Sequence, residues 1–293
     1  MRVTDNARLL GVLRNNAMST NRLTTASRRA SSGAKVTKPS DDPVAFATSV
    51  RRGSTLANMA SRTRSARSAA DELGVAEGAL DSASELLAQA KSLAVQGANE
   101  TLSATDRNAL ALQVRGIREQ LLDLANTRGA GGFVFAGSRT DSAPFDAAGV
   151  FTGNDSVMRV PVGDGVSPRM NVSGAKAFTT LGGTDVFVEL AALDTALSSN
   201  DLLGIRNAIG TVQRGYDQMV AVQVDAGLSI ERLRSAADVI DTASLTIAQA
   251  RARDVGADDL AGLATELSAA GNSYSQSLTV TKMLLSLPSL AKQ

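Results

Sequence analysis

The chain has 293 residues, 30 Lys/Arg against 29 Asp/Glu, and neither cysteine nor histidine. Those absences exclude disulfides, thiolate nucleophiles, Cys/His metal centres and catalysis that rests on an imidazole base. Apolar residues reach 43% but aromatics only 3%, so Ala, Leu and Ser must fill thin helix–helix seams in place of one thick core.

The balanced charge is unevenly spread, since the first 67 residues carry thirteen basic and three acidic side chains. A basic arm suggests nucleic acid or an acidic surface. Here the arginines are not interleaved with aromatics, and no zinc or base-stacking motif accompanies them. Complementarity between this segment and the acidic remainder, within or between subunits, is therefore the expectation, with no nucleic-acid partner. No apolar run is long enough to span a bilayer. Residues 1–20 lack an apolar signal core, so neither membrane insertion nor a cleaved signal peptide is expected.

Leu10, Leu13, Ala17, Thr20, Thr24 and Ser27 keep a helical rhythm that fades into small polar residues, a seam that needs partners to stay ordered. Ser31-Ser32-Gly33 breaks it. In the following loop, Pro39 and Pro43 push their preceding residues toward extended backbone. Asp42 is placed to cap a helix that starts at Pro43. The Asp41–Asp42 pair lacks calcium-loop spacing and reads as a cap and a turn, so the loop at Pro39, Asp41, Asp42 and Pro43 forms a domain junction.

Leu73, Ala76, Leu80, Ala83, Leu87, Ala90 and Ala94 then draw a long apolar seam that ends near Gly97. Ser103 caps the return helix, with Asp106 placed to reach back to the Ser103 amide. Leu110, Val114, Ile117, Leu121 and Leu124 continue the seam, and Thr127-Arg128-Gly129 offers a left-handed stop. After Gly132 the period becomes that of strands, at Phe133–Phe135, Phe151–Asp155, Val157–Val162 and around Met170 and Val172. Pro161 limits its strand to an edge, and Gly163-Asp164-Gly165 supplies a hairpin turn. Helical rhythm returns at Leu190, Leu193 and Leu197. Asn200-Asp201 then caps a run from Ile205 to Ile247, Gly256 breaks it, and Asp258 caps a last helix.

The spacing predicts a mainly α protein with a small β insert, an elongated rod of long antiparallel helices whose N- and C-terminal helices pair at one end. Residues 1–42 with 256–293 form a terminal coiled coil, 43–132 with 186–255 a helical rod, and 133–185 an outward β-rich insert. The insert leaves and rejoins one seam, so it is expected to be dispensable. Under-filled terminal seams suit lateral assembly, and both ends are expected to order only on assembly. The candidate inter-subunit packing residues are Leu10, Leu13, Ala17, Leu260, Leu263, Leu267, Tyr274 and Leu278.

Residues 31–46 and 101–172, with Lys38-Pro39-Ser40-Asp41-Asp42-Pro43, Gly132-Phe133-Val134-Phe135-Ala136-Gly137, Ala143-Pro144-Phe145 and Phe151-Thr152-Gly153-Asn154-Asp155, resemble the flagellin superfamily in its hook–filament junction branch. The polar end of the chain, Pro288 to Gln293, departs from the expected Leu-rich terminus. The resemblance implies a non-enzymatic, cofactor-free structural protein of the bacterial flagellum, outside the cell and exported unfolded by the flagellar type III system. It implies a homo-oligomeric ring between hook-associated protein 1 on the hook side and flagellin on the other, with a flagellar export chaperone as a transient partner. A flagellin-type filament subunit is the alternative. An enzymatic reading finds only Gly129–Gly132, which follows a helix and lacks the lysine of a phosphate loop.

Overall fold

The computed structural model describes residues 2–163, 165–257 and 259–285. Among them the chain is mainly helical, with α1 (Arg2–Ser32), α2 (Pro43–Gly97), α3 (Ala104–Ala125), the two-residue strands β1 (Arg128–Gly129) and β2 (Gly132–Phe133), a short α4 (Gly174–Phe178), a 3-10 turn (Thr180–Gly182), α5 (Val186–Ser198), α6 (Leu202–Asp254) and α7 (Leu260–Leu285). The chain divides into two compact units, one of residues 1–59 with 242–293 and the other of residues 60–241. Asp258 and the terminal residues 286–293 lie outside the described residues.

The larger unit, 60–241, is built on the seam that the spacing predicts. Leu73, Leu80, Leu87, Ala76, Ala83, Ala90 and Ala94 of α2 are buried, and alanine between leucines lets neighbouring helices approach closely. Leu110, Val114, Ile117 and Leu121 of α3 are buried with them, and α3 packs on α5. Around Gly97 the side chains of Leu110, Leu197 and Ile205 converge, so α2, α3, α5 and α6 meet at one point.

A buried arginine closes that point. Arg107 is 3% exposed. Its Nε donates to the Gly97 carbonyl at 2.9 Å, Nη2 to the Asn99 carbonyl at 2.6 Å and Nη1 to the Asn200 side chain. Asn200 takes a positive φ of 58° there, and Asp201 caps α6 through the Leu203 amide. One planar guanidinium thereby satisfies the frayed end of α2 and holds the α5–α6 turn beside it.

The insert differs in kind from the expected strands. β1 pairs with β2 across Ala130-Gly131, and the remaining ladders shrink to single bridges, among them Phe145 opposite Phe151 and Arg159 opposite Arg169. Pro161 and Pro168 remove donors, and asparagine side chains stand in for missing ladder bonds. Asn171 Oδ1 accepts from the Met158 amide and its Nδ2 donates to the Ser156 carbonyl. Nor does α3 end in a left-handed stop, because none of Thr127, Arg128 and Gly129 takes a positive φ. Asn126 instead exchanges two side-chain bonds with the backbone of Phe145. At the other end of α3, Ser103 caps as predicted, but the Asp106 carboxylate accepts from the Ser103 hydroxyl and not from its amide.

The insert is not a detachable appendage. Six of the seven phenylalanines fall between 133 and 187, and Phe145 packs at 5.2–5.4 Å on Phe151, Phe178 and Phe187. Phe187 belongs to α5, and these rings share one core with the α2–α3–α5–α6 seam. Gln218 of α6 reaches in from the other side. Its Nε2 donates to the carbonyls of Ala177, Thr179 and Thr184, and its Oε1 accepts from the Thr184 amide. Excising 133–185 would strip that core and leave Gln218 buried without partners, so removing the insert would not leave the seam intact in the way the spacing suggests.

Arg107→Ala should lower the stability of the chain by about 3 kcal/mol, since carbonyls at the α2 end lose charged donors. Arg107→Lys should recover less than half, because an ammonium cannot fork to three acceptors. Urea denaturation checks both, and a lysine variant as stable as the parent would remove the fork from the account.

Candidate assembly surface

The smaller unit, 1–59 with 242–293, holds every residue chosen from the sequence for packing and for the junction loop. Both of its chain breaks are built alike. After α1 the Ala34 amide bonds back to the Arg29 carbonyl, with Gly33 at φ +67°; after α6 the Ala257 amide bonds to Ala252, with Gly256 at φ +62°. Each is a helix stop in which glycine takes the left-handed position that a side chain resists. The two stops lie together, since the amides of Lys35 and Val36 both donate to the Val255 carbonyl at 2.8 and 3.1 Å.

The loop between them is stapled by its aspartates. Asp42 Oδ1 accepts from the Val44 and Ala45 amides, capping α2 behind Pro43. Asp41 Oδ2 accepts from the Thr37 amide, the Thr37 hydroxyl and the Lys38 amide. The Thr37 amide above all holds the Asp41 carboxyl below its ordinary value. Asp259 is lowered too, by the Lys35 ammonium at 2.6 Å and then by the Gly262 amide that it caps. The structure thus puts a cap for α7 at Asp259; Asp258, the residue expected to cap it, is outside the described residues.

The uneven charge finds its partners here. Arg29 pairs with Glu266 at 2.8 Å, Lys35 with Asp259 and Arg52 with Asp254 at 2.9 Å; in the larger unit Arg67 meets Asp241 at 2.6 Å. Basic residues of the first 67 thereby answer acids between 241 and 266. Each pair is partly solvated and worth under about 1 kcal/mol, so their effect is on register more than on stability.

α1 and α7 pack along each other, running antiparallel as Arg29 meets Glu266 and Gly33 approaches Leu260. The pair forms within one chain, as the spacing predicts. Leu263 is 1% exposed and buried with Ala26 and Ala270, so it belongs to this intrachain seam. Leu267, Tyr274 and Leu278 are half-buried, and Ala17 is exposed. Leu10, Leu13 and Leu260 stand 65%, 52% and 63% exposed. The structure therefore leaves Leu10, Leu13 and Leu260 among the exposed apolar side chains of this unit, with Met18, Val44, Val50, Leu245, Val280 and Met283. Arg107, Gln218 and Asn126, which hold the larger unit together, were not among the residues singled out from the sequence.

No catalytic arrangement competes with a packing role in what is described. S-x-x-K spacing occurs at Ser32–Lys35, Ser173–Lys176 and Ser289–Lys292, the last outside the described residues. Lys35 is committed to Asp259, and Ser173 caps α4 through the Lys176 amide. Among the described residues no cluster of acidic side chains could hold a metal ion, and no helix is long and apolar enough to cross a membrane.

Comparison with known proteins agrees with this architecture. Residues 3–140 match the bacterial flagellin N-terminal helical region. The chain is 33% identical over 153 residues to flagellar hook-associated protein 3 of Salmonella typhimurium, which covers 52% of this chain and 48% of that protein. The chain thus spans about half the length of that relative. It is 26% identical over 237 residues to flagellin FljK of Caulobacter vibrioides, covering 78% of this chain and 86% of FljK. The fold is shared with the crystal structure of flagellar hook-associated protein 3 of Legionella pneumophila at a TM-score of 0.61 and 15% identity, over 68% of this chain and 97% of that one.

Two outcomes follow for this unit. Leu263→Asp should cost about 3–5 kcal/mol by placing an unpaired carboxylate in the α1–α7 seam, and tryptic cleavage at Arg22 should accelerate. Leu260→Asp, on an exposed position, should leave both unchanged. The reverse order of effects would place the seam on the other face of α7. As to pH, both lowered aspartates stabilise the unit when ionised, so their contribution is complete above the ordinary carboxyl value near 3.8 and is lost as pH falls below it. Acid titration followed by the Thr37 amide resonance should show the loop releasing below about pH 4, and Asp41→Asn should abolish that transition.

Proposed function

We propose that this chain, whose first half carries the bacterial flagellin N-terminal helical region, is a structural adaptor of the flagellum that joins the hook side to the flagellin filament. The observation that carries the reading is the 33% identity over 153 residues to flagellar hook-associated protein 3. The paired terminal helices and the stapled Pro39–Pro43 loop support it, because they furnish a chain with few buried apolar residues at its ends and exposed leucines beside them. In this role residues 1–42 with 256–293 are the terminal assembly segment, 43–132 with 186–255 the helical body and 133–185 the outward insert. Copies of the chain form a ring, with hook-associated protein 1 on one side and flagellin on the other. The chain reaches that place outside the cell through the flagellar export system, attended by a chaperone. Its work is mechanical and needs no catalysis.

A filament subunit is the second reading, favoured by the longer alignment to FljK. Cells lacking the chain decide between the two. The adaptor reading expects bare hooks with flagellin shed into the medium, and a labelled chain found only at the hook boundary after complementation. Label along the whole shaft, or long filaments grown by the purified chain alone, would establish the filament subunit instead.

A further inference from the structure

In the larger unit the hairpin arms at 157–162 and 166–170 lie over the middle of α6 and leave a groove of about 810 Å³. Its walls expose apolar side chains without covering them: Val166 on the hairpin is 55% exposed and Val239 on α6 is 67% exposed. Arginines rim it. Arg159 and Arg169 face each other across the hairpin bridge, an arrangement that like charges disfavour. Among the described residues only Arg169 is neutralised, by Asp225 of α6 at 3.0 Å. Arg159 donates to the Ser167 carbonyl at 3.0 Å and has no carboxylate, and Arg232 on the facing helix has no partner among the described residues. Among the described residues the guanidiniums of Arg159 and Arg232 thus stand without a carboxylate on opposite walls of a groove lined by both apolar and polar side chains.

We propose that this groove binds an acidic, aliphatic peptide segment of a partner protein. The guanidiniums of Arg159 and Arg232 take its carboxylates, and the exposed Val166 and Val239, with the partly buried Ala236 between them, take its aliphatic side chains. Guanidinium forks match carboxylates two bonds at a time, and an exposed apolar patch beside them favours an occupant that alternates acid with aliphatic residues. No aromatic ring lines the groove, which disfavours sugars and nucleic-acid bases that dock by stacking. Asp225 is already paired with Arg169, and Glu231 on the same rim can accept a basic residue at the end of the peptide.

The test uses the full chain and a fluorescein-labelled dodecapeptide that alternates Glu with Leu and Val, beside the same peptide with Gln for every Glu. Anisotropy at low salt should give at least about tenfold tighter binding of the Glu peptide, a free-energy difference of one good charge pair. That preference should vanish in R159A/R232A and under 0.5 M salt. Val166→Asp, on an exposed position, should weaken the Glu peptide while circular dichroism stays unchanged. Equal affinity for both peptides, full binding by the folded double variant, or binding of polygalacturonate or anionic vesicles in place of the peptide would each overturn the proposal.

Discussion

The buried guanidinium of Arg107 is the interaction on which the larger unit depends. A seam of alanine and leucine brings helices close but gives each turn little apolar area to bury. Such a seam specifies direction well and helix ends poorly. The ends are where backbone carbonyls must find donors or stay solvated. Arg107 supplies them inside the protein, on the carbonyls of Gly97 and Asn99, and uses its third arm on Asn200. Four helices are thereby fixed in length relative to one another. Gln218 does the corresponding work on the opposite flank, spending every amide hydrogen-bonding group on the backbone between 177 and 184.

This division of labour explains what the sequence made legible. Periodicity reports apolar area, so the α2, α3 and α6 seams, the helix breaks at Gly33 and Gly256 and the caps at Asp42 and Ser103 could be read directly. It is blind to a polar residue doing a core residue's work. Arg107 sits three residues before Leu110, in step with the buried stripe of α3, and that register was the available signal. Strands failed for a different reason. Between 133 and 172 the chain is held by asparagine side chains and clustered phenylalanines, and neither has a period of two. The helix at 174–178 is too short to show a period at all, and only the Ser173 cap marks it.

The terminal helices pair as the spacing predicts, but Leu263 lies inside that pair. Leu260, Leu263 and Leu267 are spaced as one stripe, and a stripe with no partner in the sequence suggests a partner in another molecule. In the folded chain the partner is α1, whose own seam is so thin that Ala26 is its buried apolar residue among those described. Helices that meet on alanine can approach closely, so a weak sequence signal on one side does not imply a missing contact. Leu263 turns inward, and Leu260, one turn earlier, stays outside beside the Gly33 stop.

What remains is how so slight a pairing keeps its alignment. The apolar contribution of the α1–α7 seam is small and would tolerate sliding by a turn. The ion pairs Arg29–Glu266 and Lys35–Asp259, with the two amides on Val255, do not tolerate it: a slide by one turn moves the partners about 5.4 Å apart along the axis and breaks all of them. Solvated pairs that add little stability can therefore still select one register, because the competing registers lose every pair at once. A segment aligned by charge and held by few apolar contacts can be opened at low cost and will close again in the same place. For a chain whose proposed work begins only after assembly, that combination suits better than a tightly packed seam, which would hold α1 and α7 together too firmly for their exposed leucines to seek a second molecule.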